Sequence, residues 1–219
     1  MFTKNSIRAA IAALALGAAG VASAAVVTLT FEGVGDYNAV DNFYNGGGGA
    51  ANNHGVTFSG DTLALVDADA GGSGNFANEP SGDTIMFFVS ANSAILNMAA
   101  GFTNGFSFFY SSSTAATINV YDDVDGQGNL LGSLNLTAQG FQNCVGDPTG
   151  QFCNWTAVGV AFSGIAKSIN FGGTANQTGF DNITFGSDKP GGGNVPEPTS
   201  LALVGAALLA AGAARRRKA

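Results

Sequence analysis

Apolar and polar residues alternate in short runs along most of the chain, and Gly, Asn and Asp punctuate the runs. Runs at 26–31, 55–59, 62–66, 84–89, 94–98 and 102–110 predict strands, as do runs at 116–121, 129–136, 155–162, 167–171 and 179–185. Period-2 alternation puts Phe106, Phe108 and Tyr110 on one face. It does the same for Ile118 with Val120, and for Val158 and Val160 with Phe162. No run between 25 and 189 has a helical period and the length to form a stable helix. Many short strands with dense turn residues predict an all-β fold, a two-sheet antiparallel β-sandwich of jelly-roll type. Asp125-Gly126 through Gly128 predicts a hairpin.

The two ends break this pattern. Lys4 and Arg8 precede an apolar run from Ala9 to Gly20, and Ala22-Ser23-Ala24 follows. This order predicts a secretory signal helix over 1–24, with signal peptidase leaving Ala25 as the first mature residue. At the other end, Val195-Pro196-Glu197-Pro198 precedes an apolar run from Leu201 to Ala214, and Arg215, Arg216, Arg217 and Lys218 close the chain. A helix over that run is about 21 Å long, against a hydrocarbon core of roughly 30 Å. It predicts a short hydrophobic transmembrane helix serving as a transient anchor in the inner membrane, its basic end held on the cytoplasmic side. Pro196 and Pro198 keep the preceding segment extended and open to a protease. The domain organisation is therefore signal 1–24, β-sandwich 25–189, Gly-rich linker 190–194 and tail 195–219.

The tail resembles the PEP-CTERM sorting signal of Gram-negative bacteria, on the strength of Pro-Glu-Pro, the apolar stretch and the basic terminus in that order. The resemblance implies recognition by exosortase, a membrane-embedded cysteine protease. Cleavage near Pro196–Pro198 and transfer to the cell surface or extracellular matrix would follow. The segment from Val120 to Leu131 is similar to a hairpin of the form Y-D-x-x-D-G-x-G-x-L-L found in the cargo domains of such proteins.

Charge narrows the partners. Residues 25–194 carry 14 acidic residues against Lys167 and Lys189, a net charge of 2 − 14 = −12, while the whole chain stands at −7. That balance argues against nucleic acid and anionic membrane surfaces as ligands. It also leaves most carboxylates to be satisfied by solvent, hydrogen bonds or metal ions. Cys144 and Cys153 are the only cysteines, and an exported pair closing a short, turn-rich loop predicts a disulfide.

Candidate chemistry is sparse. Glu32 ends the first predicted strand, and Asp181 lies in the last, where alternation puts it on the face of Ile183 and Phe185. First and last strands of a jelly roll lie close together, so the two carboxylates are expected to meet and to hold a structural Ca²⁺, with Asp36 or Asp41 completing the shell. The Phe-Glu start and the Phe-Asp-Asn-Ile end resemble secreted jelly-roll families with calcium at that place, among them carbohydrate-binding modules and MAM-type domains. The competing reading has Asp181 hydrogen-bonded to a loop backbone and Glu32 solvated. Trp155 packs on the disulfide or, with Tyr37, Phe43 and Tyr44, stacks on a sugar ring. His54 is the sole histidine and no nucleophile elbow surrounds any serine. Glu79 is the best acid for glycosidase chemistry, on residue type alone.

These readings converge on an exported, non-catalytic surface or matrix protein, processed at its tail and associated with exopolysaccharide or biofilm. The alternatives are a calcium-dependent carbohydrate-binding module and, third, a hydrolase.

Overall fold

A computed structural model describes residues 26–192, apart from 91–92, 143 and 146–149. The signal helix, the Pro-Glu-Pro segment, the apolar tail and its arginines lie outside the described residues. Eleven strands run in chain order as β1 (Val27–Leu29), β2 (Val56–Phe58), β3 (Thr62–Val66), β4 (Thr84–Phe88), β5 (Ser93–Phe102) and β6 (Gly105–Ser112), then β7 (Ala116–Tyr121), β8 (Leu130–Leu136), β9 (Thr156–Ala161), β10 (Ala166–Gly172) and β11 (Thr178–Phe185). Two short 3₁₀ turns, Phe43–Asn45 and Ala50–Asn52, sit in the loop between β1 and β2.

The strands form two antiparallel sheets. One has the order β3-β4-β11-β6-β9 with β1 also on β11, and the other the order β2-β5-β10-β7-β8. From β5 to β7 and again from β8 to β11 the chain alternates between sheets, so each hairpin-like step adds a strand to the opposite layer. This is the β-sandwich the alternation predicts. Phe106, Phe108 and Tyr110 of β6 face Ile118 and Val120 of β7 and Phe171 of β10 across a core that also takes Phe180, Ile183 and Phe185 of β11. The rings meet edge to face more often than flat, as with Phe171 and Phe180 at 4.9 Å and 69°, the arrangement their quadrupoles favour.

Two local departures from strict alternation matter for the site. The run at 102–110 is not one strand: Phe102 ends β5, Asn104 takes φ 75°, and the chain reverses into β6. In β11 the register shifts between Asp181 and Thr184, with Asn182 at φ 51°. Phe180 pairs with Tyr110 and Phe185 with Phe106, both core positions, while Asp181 pairs with Phe109. The bulge therefore takes Asp181 out of line with Ile183 and Phe185, against the expectation from period 2.

The outer face of the first sheet carries a second, smaller core. β4 is buried on both faces along its whole length. Met86 and Phe88 point into the sandwich. Ile85 and Phe87, paired with Leu65 and Leu63 of β3, pack outward with Phe76, Phe152 and Trp155 from two covering loops.

Candidate functional site

Two places on the first sheet gather the candidate residues: an acidic clamp at one end of β11, and a pocket on its outer face.

The clamp is built by the turn after β1 and the loop before β4. Phe31 adopts φ 64°, and its N–H donates to the Tyr44 hydroxyl at 2.6 Å. This ends β1 at Leu29 and turns Glu32 toward the loop. Glu32 accepts from the Asp83 and Thr84 N–H groups at 3.1 and 2.9 Å and from the Thr84 hydroxyl at 3.2 Å. Asp181 accepts from the Ser81 N–H at 3.0 Å, from the Ser81 hydroxyl through both oxygens, and from the Asn182 N–H at 2.6 Å. The carboxylate just after the first strand and the one in the last thus grip the same four-residue segment, 81–84. Gly82 lies between them at φ 52°, and a Cβ there would stand 2.3 Å from a Glu32 carboxylate oxygen.

Asp181 is fully buried. Burial pushes its carboxyl up to about 7, against the hydrogen bonds from Asn182 and Ser81 that favour the charged form. Glu32 nearby adds to the rise. Burial also raises Tyr44 well above the usual phenol range, with Asp181 and Glu32 contributing. The one ion pair among the described residues, Lys167 with Asp123 at 3.9 Å, lies elsewhere.

Asp36 does not join this pair. It accepts from the Val66 N–H at 3.0 Å and the Ser73 hydroxyl at 2.6 Å. Burial works to raise its carboxyl, but those hydrogen bonds win and hold it below the ordinary range. Among the described residues no three of His, Cys, Asp and Glu form a group that could hold a metal ion. Glu32, Asp36 and Asp181 are therefore not one donor set, because the turn after Phe31 sends Glu32 and Asp36 to different loops.

The pocket has a volume of about 400 Å³. Leu65, Ile85 and Phe87 floor it from β3 and β4, with Thr178 and Gly179 of β11. Gly179 leaves the floor open, since a Cβ there would meet Ile85 at 2.7 Å and Trp155 at 3.2 Å. Phe76 and Phe152 wall it, Tyr37 stands at its edge, and Asn75, Ser73 and Asn176 supply polar groups. Among the described residues that line it, none is acidic or basic. Tyr37 is 54 % exposed and leans edge-on against Phe87 at 5.8 Å.

The expected sugar-stacking rings separate. Tyr37 reaches the pocket. Trp155 lies behind the wall, edge-on to Phe76 at 6.3 Å, its indole N–H donating to the Ala77 carbonyl at 3.0 Å. Tyr44 is 3 % exposed and belongs to the main core, so it has no free face for a sugar, a correction to the sequence reading. Its ring stacks on His54, which gives that histidine a packing role. Phe87, Phe76, Phe152, Asn75 and Asn176 were not foreseen. One signal was present: Ile85-Met86-Phe87-Phe88 is continuous rather than alternating, as strands covered on both faces are.

Cys144 and Cys153 form a disulfide with Cα atoms 5.1 Å apart. It staples the loop that carries Phe152.

A comparison with curated proteins finds no match. Among solved structures, a family 6 carbohydrate-binding module is 14% identical over 74% of this chain and 93% of its own, with a TM-score of 0.38. The cleaved adhesin domain of Lys-gingipain from Porphyromonas gingivalis is 11% identical over 74% of this chain and 97% of its own, with a TM-score of 0.43. A glycoside hydrolase family 43 arabinoxylan arabinofuranohydrolase from Bacillus subtilis is 22% identical over 59% of this chain, with a TM-score of 0.37, and this chain covers 25% of it. Residues 194–218 match the PEP-CTERM protein-sorting motif. The chain thus joins a PEP-CTERM sorting motif to a domain whose described residues form a two-sheet β-sandwich, and that motif implies export and processing by exosortase.

Proposed function

We propose that the β-sandwich is a non-catalytic domain of the cell surface or extracellular matrix, and that it holds extracellular polysaccharide in the pocket on its outer face. One observation carries this reading. The pocket joins aromatic surface, Tyr37 with Phe87, Phe76 and Phe152, to side-chain amides and hydroxyls, Asn75, Asn176 and Ser73. Aromatic faces desolvate the C–H side of a sugar ring, while amides satisfy its hydroxyls. The lining supplies no acid, base or nucleophile pair for hydrolysis.

Retention on an array of exopolysaccharides tests it. The wild-type protein is expected to be retained, and Tyr37→Ala to lose about tenfold in affinity with its unfolding midpoint unchanged, because Tyr37 is largely exposed. Retention of neither protein on any polysaccharide would sink the reading.

A structural Ca²⁺ at the clamp is a second proposal, favoured by Glu32 and buried Asp181 holding the same short segment with no Lys or Arg paired to either among the described residues. Two carboxylates suit a hard cation, with carbonyl, hydroxyl or water oxygens making up the usual six to eight. Ca²⁺ would tie the first strand, the last strand and the 81–84 loop together. Calorimetry with Ca²⁺ and then chelator is expected to raise and then lower the unfolding temperature, and an unchanged value rules the site out.

A further inference from the structure

The pocket wall belongs to a core separate from the one that holds the sandwich together. Among the described residues the outer core buries only Leu65, Phe76, Ile85 and Phe87, whereas the inter-sheet core takes side chains from nearly every strand. Leu65, Ile85 and Phe87 stand on β3 and β4 and need no further support. Phe76 and Phe152 come from loops.

Those loops hold each other by a narrow parallel bridge. The Gln151 and Phe152 N–H groups donate to the Asn75 carbonyl at 2.6 and 3.3 Å, and the Ala77 N–H donates to the Phe152 carbonyl at 3.2 Å. Trp155 adds its indole bond to Ala77. Asn78 adds a side-chain bond to the Cys153 carbonyl at 3.3 Å, and the Gly74 N–H ties the Phe76 loop to the Val66 carbonyl at 2.8 Å, which leaves the Phe152 loop as the one that must be held against its conformational entropy from elsewhere. The anchor comes from Gly140, whose N–H donates to the Ser112 carbonyl at 2.7 Å, tying it to the end of β6. The Cys153 N–H donates to the Gly140 carbonyl at 2.8 Å. The disulfide then closes Cys153 onto Cys144, with Cys153 itself 2 % exposed.

We propose that the Cys144–Cys153 disulfide is a positioning element of the pocket: it sets Phe152, and through the parallel bridge Phe76, as the wall, and so makes ligand binding depend on oxidation of this pair. This rests on the pocket being the ligand site. The pair closes by loss of two protons and two electrons from the two thiols to a disulfide-bearing oxidant, which becomes a dithiol. Sulfur–sulfur bonds persist in oxidising compartments and are rare in reducing ones. The polysaccharide wall would therefore be completed after export, on a sandwich whose folding does not need it.

Trp155 makes the test independent of any ligand. It is the only tryptophan in the chain, and it packs on the outer core alone. The full chain is compared oxidised, reduced with dithiothreitol, and as the C144S/C153S double variant, by tryptophan emission, far-ultraviolet circular dichroism and retention on the polysaccharide bound best by the oxidised form. Reduction and the double variant are expected to shift emission to the red and lower affinity at least about tenfold. The β-sheet spectrum should stay unchanged, and reoxidation of the reduced chain should restore both losses. Unchanged emission in both forms overturns the proposal, as does loss of the β-sheet spectrum together with the emission change. If the oxidised chain binds no polysaccharide, the ligand reading fails, while the emission experiment still decides whether the disulfide sets the wall.

Discussion

At the scale of single residues, Asp181 shows how one bulge changes the chemistry of a carboxylate. Strict alternation would carry it along the core face with Ile183 and Phe185. The left-handed Asn182 and the shifted register place it opposite Phe109 instead, under the Ser81 hydroxyl. There it is buried, with no Lys or Arg paired to it among the described residues, and its carboxyl rises from 3.8 to about 7. The folded state thus holds this proton more tightly than the unfolded chain does. Its contribution is complete below about pH 4, fades as pH rises toward 7, and is constant above that. The span corresponds to a loss on the order of 4 kcal/mol. Urea unfolding between pH 4 and 8 in the presence of chelator is expected to show that decline in the wild type. In Asp181→Asn the decline should shrink to the smaller part left by Glu79, whose half-buried carboxyl burial also raises. A wild-type stability that is flat across this window would contradict the burial argument.

At the scale of elements, the clamp and the outer core both depend on loops between strands. Gly82 illustrates the constraint. Its φ of 52° is one that side chains resist, and the Glu32 carboxylate occupies the space a methyl group would need. Gly82→Ala is expected to cost about 2 kcal/mol in urea unfolding, since either the loop or Glu32 must move. A cost near zero would show that the loop is not gripped. The strands themselves were legible in the alternation: β3 and β7 match their predicted runs to the residue, and β8, β9, β10 and β11 shift by one residue or so at their ends. The alternation reports which face of a strand is buried, so it finds the sandwich. It says little about how far a covering loop reaches. The pocket needs Asn75 beside Gln151 and Phe152, and Tyr37 beside Phe87. Those meetings follow from register and loop paths across many residues. Tyr44 was misplaced for the same reason, because a ring in a Gly-Asn loop gave no local sign that its hydroxyl would cap Phe31. The disulfide was the exception, since two cysteines in one short loop leave a single pairing.

At the scale of the whole molecule, the chain divides its labour between a folded domain and its ends. Residues Ala25–Gly193 make one compact unit. β1 lies antiparallel along the second half of β11, with Val27 opposite Phe185. The first strand and the last strand are therefore neighbours. After β11 the chain stays on the domain: the Ser107 hydroxyl donates to the Ser187 carbonyl at 2.9 Å, and the Gly191 N–H donates to the Thr184 hydroxyl at 3.0 Å. A Cβ on Gly192 would fall 2.6 Å from Val26. The linker expected over 190–194 is thus held on the domain as far as Gly192, and residues 193–194 lie outside the described residues. In sequence, only three residues separate Gly192 from Pro196. With so short a spacer, a protease acting at Pro-Glu-Pro is expected to be sensitive to its length. The sorting tail should accordingly tolerate added length better than lost length. Inserting a Gly-Ser pair after Gly193 is expected to leave tail removal intact. Deleting Gly193 and Asn194 should slow it, and Glu197→Ala should leave the full-length form in the membrane fraction. Intact-mass analysis of fractionated cells reads all three. Complete processing of the two-residue deletion would show that the enzyme does not feel the domain. An unprocessed wild-type chain in the inner membrane would refute cleavage of the tail itself.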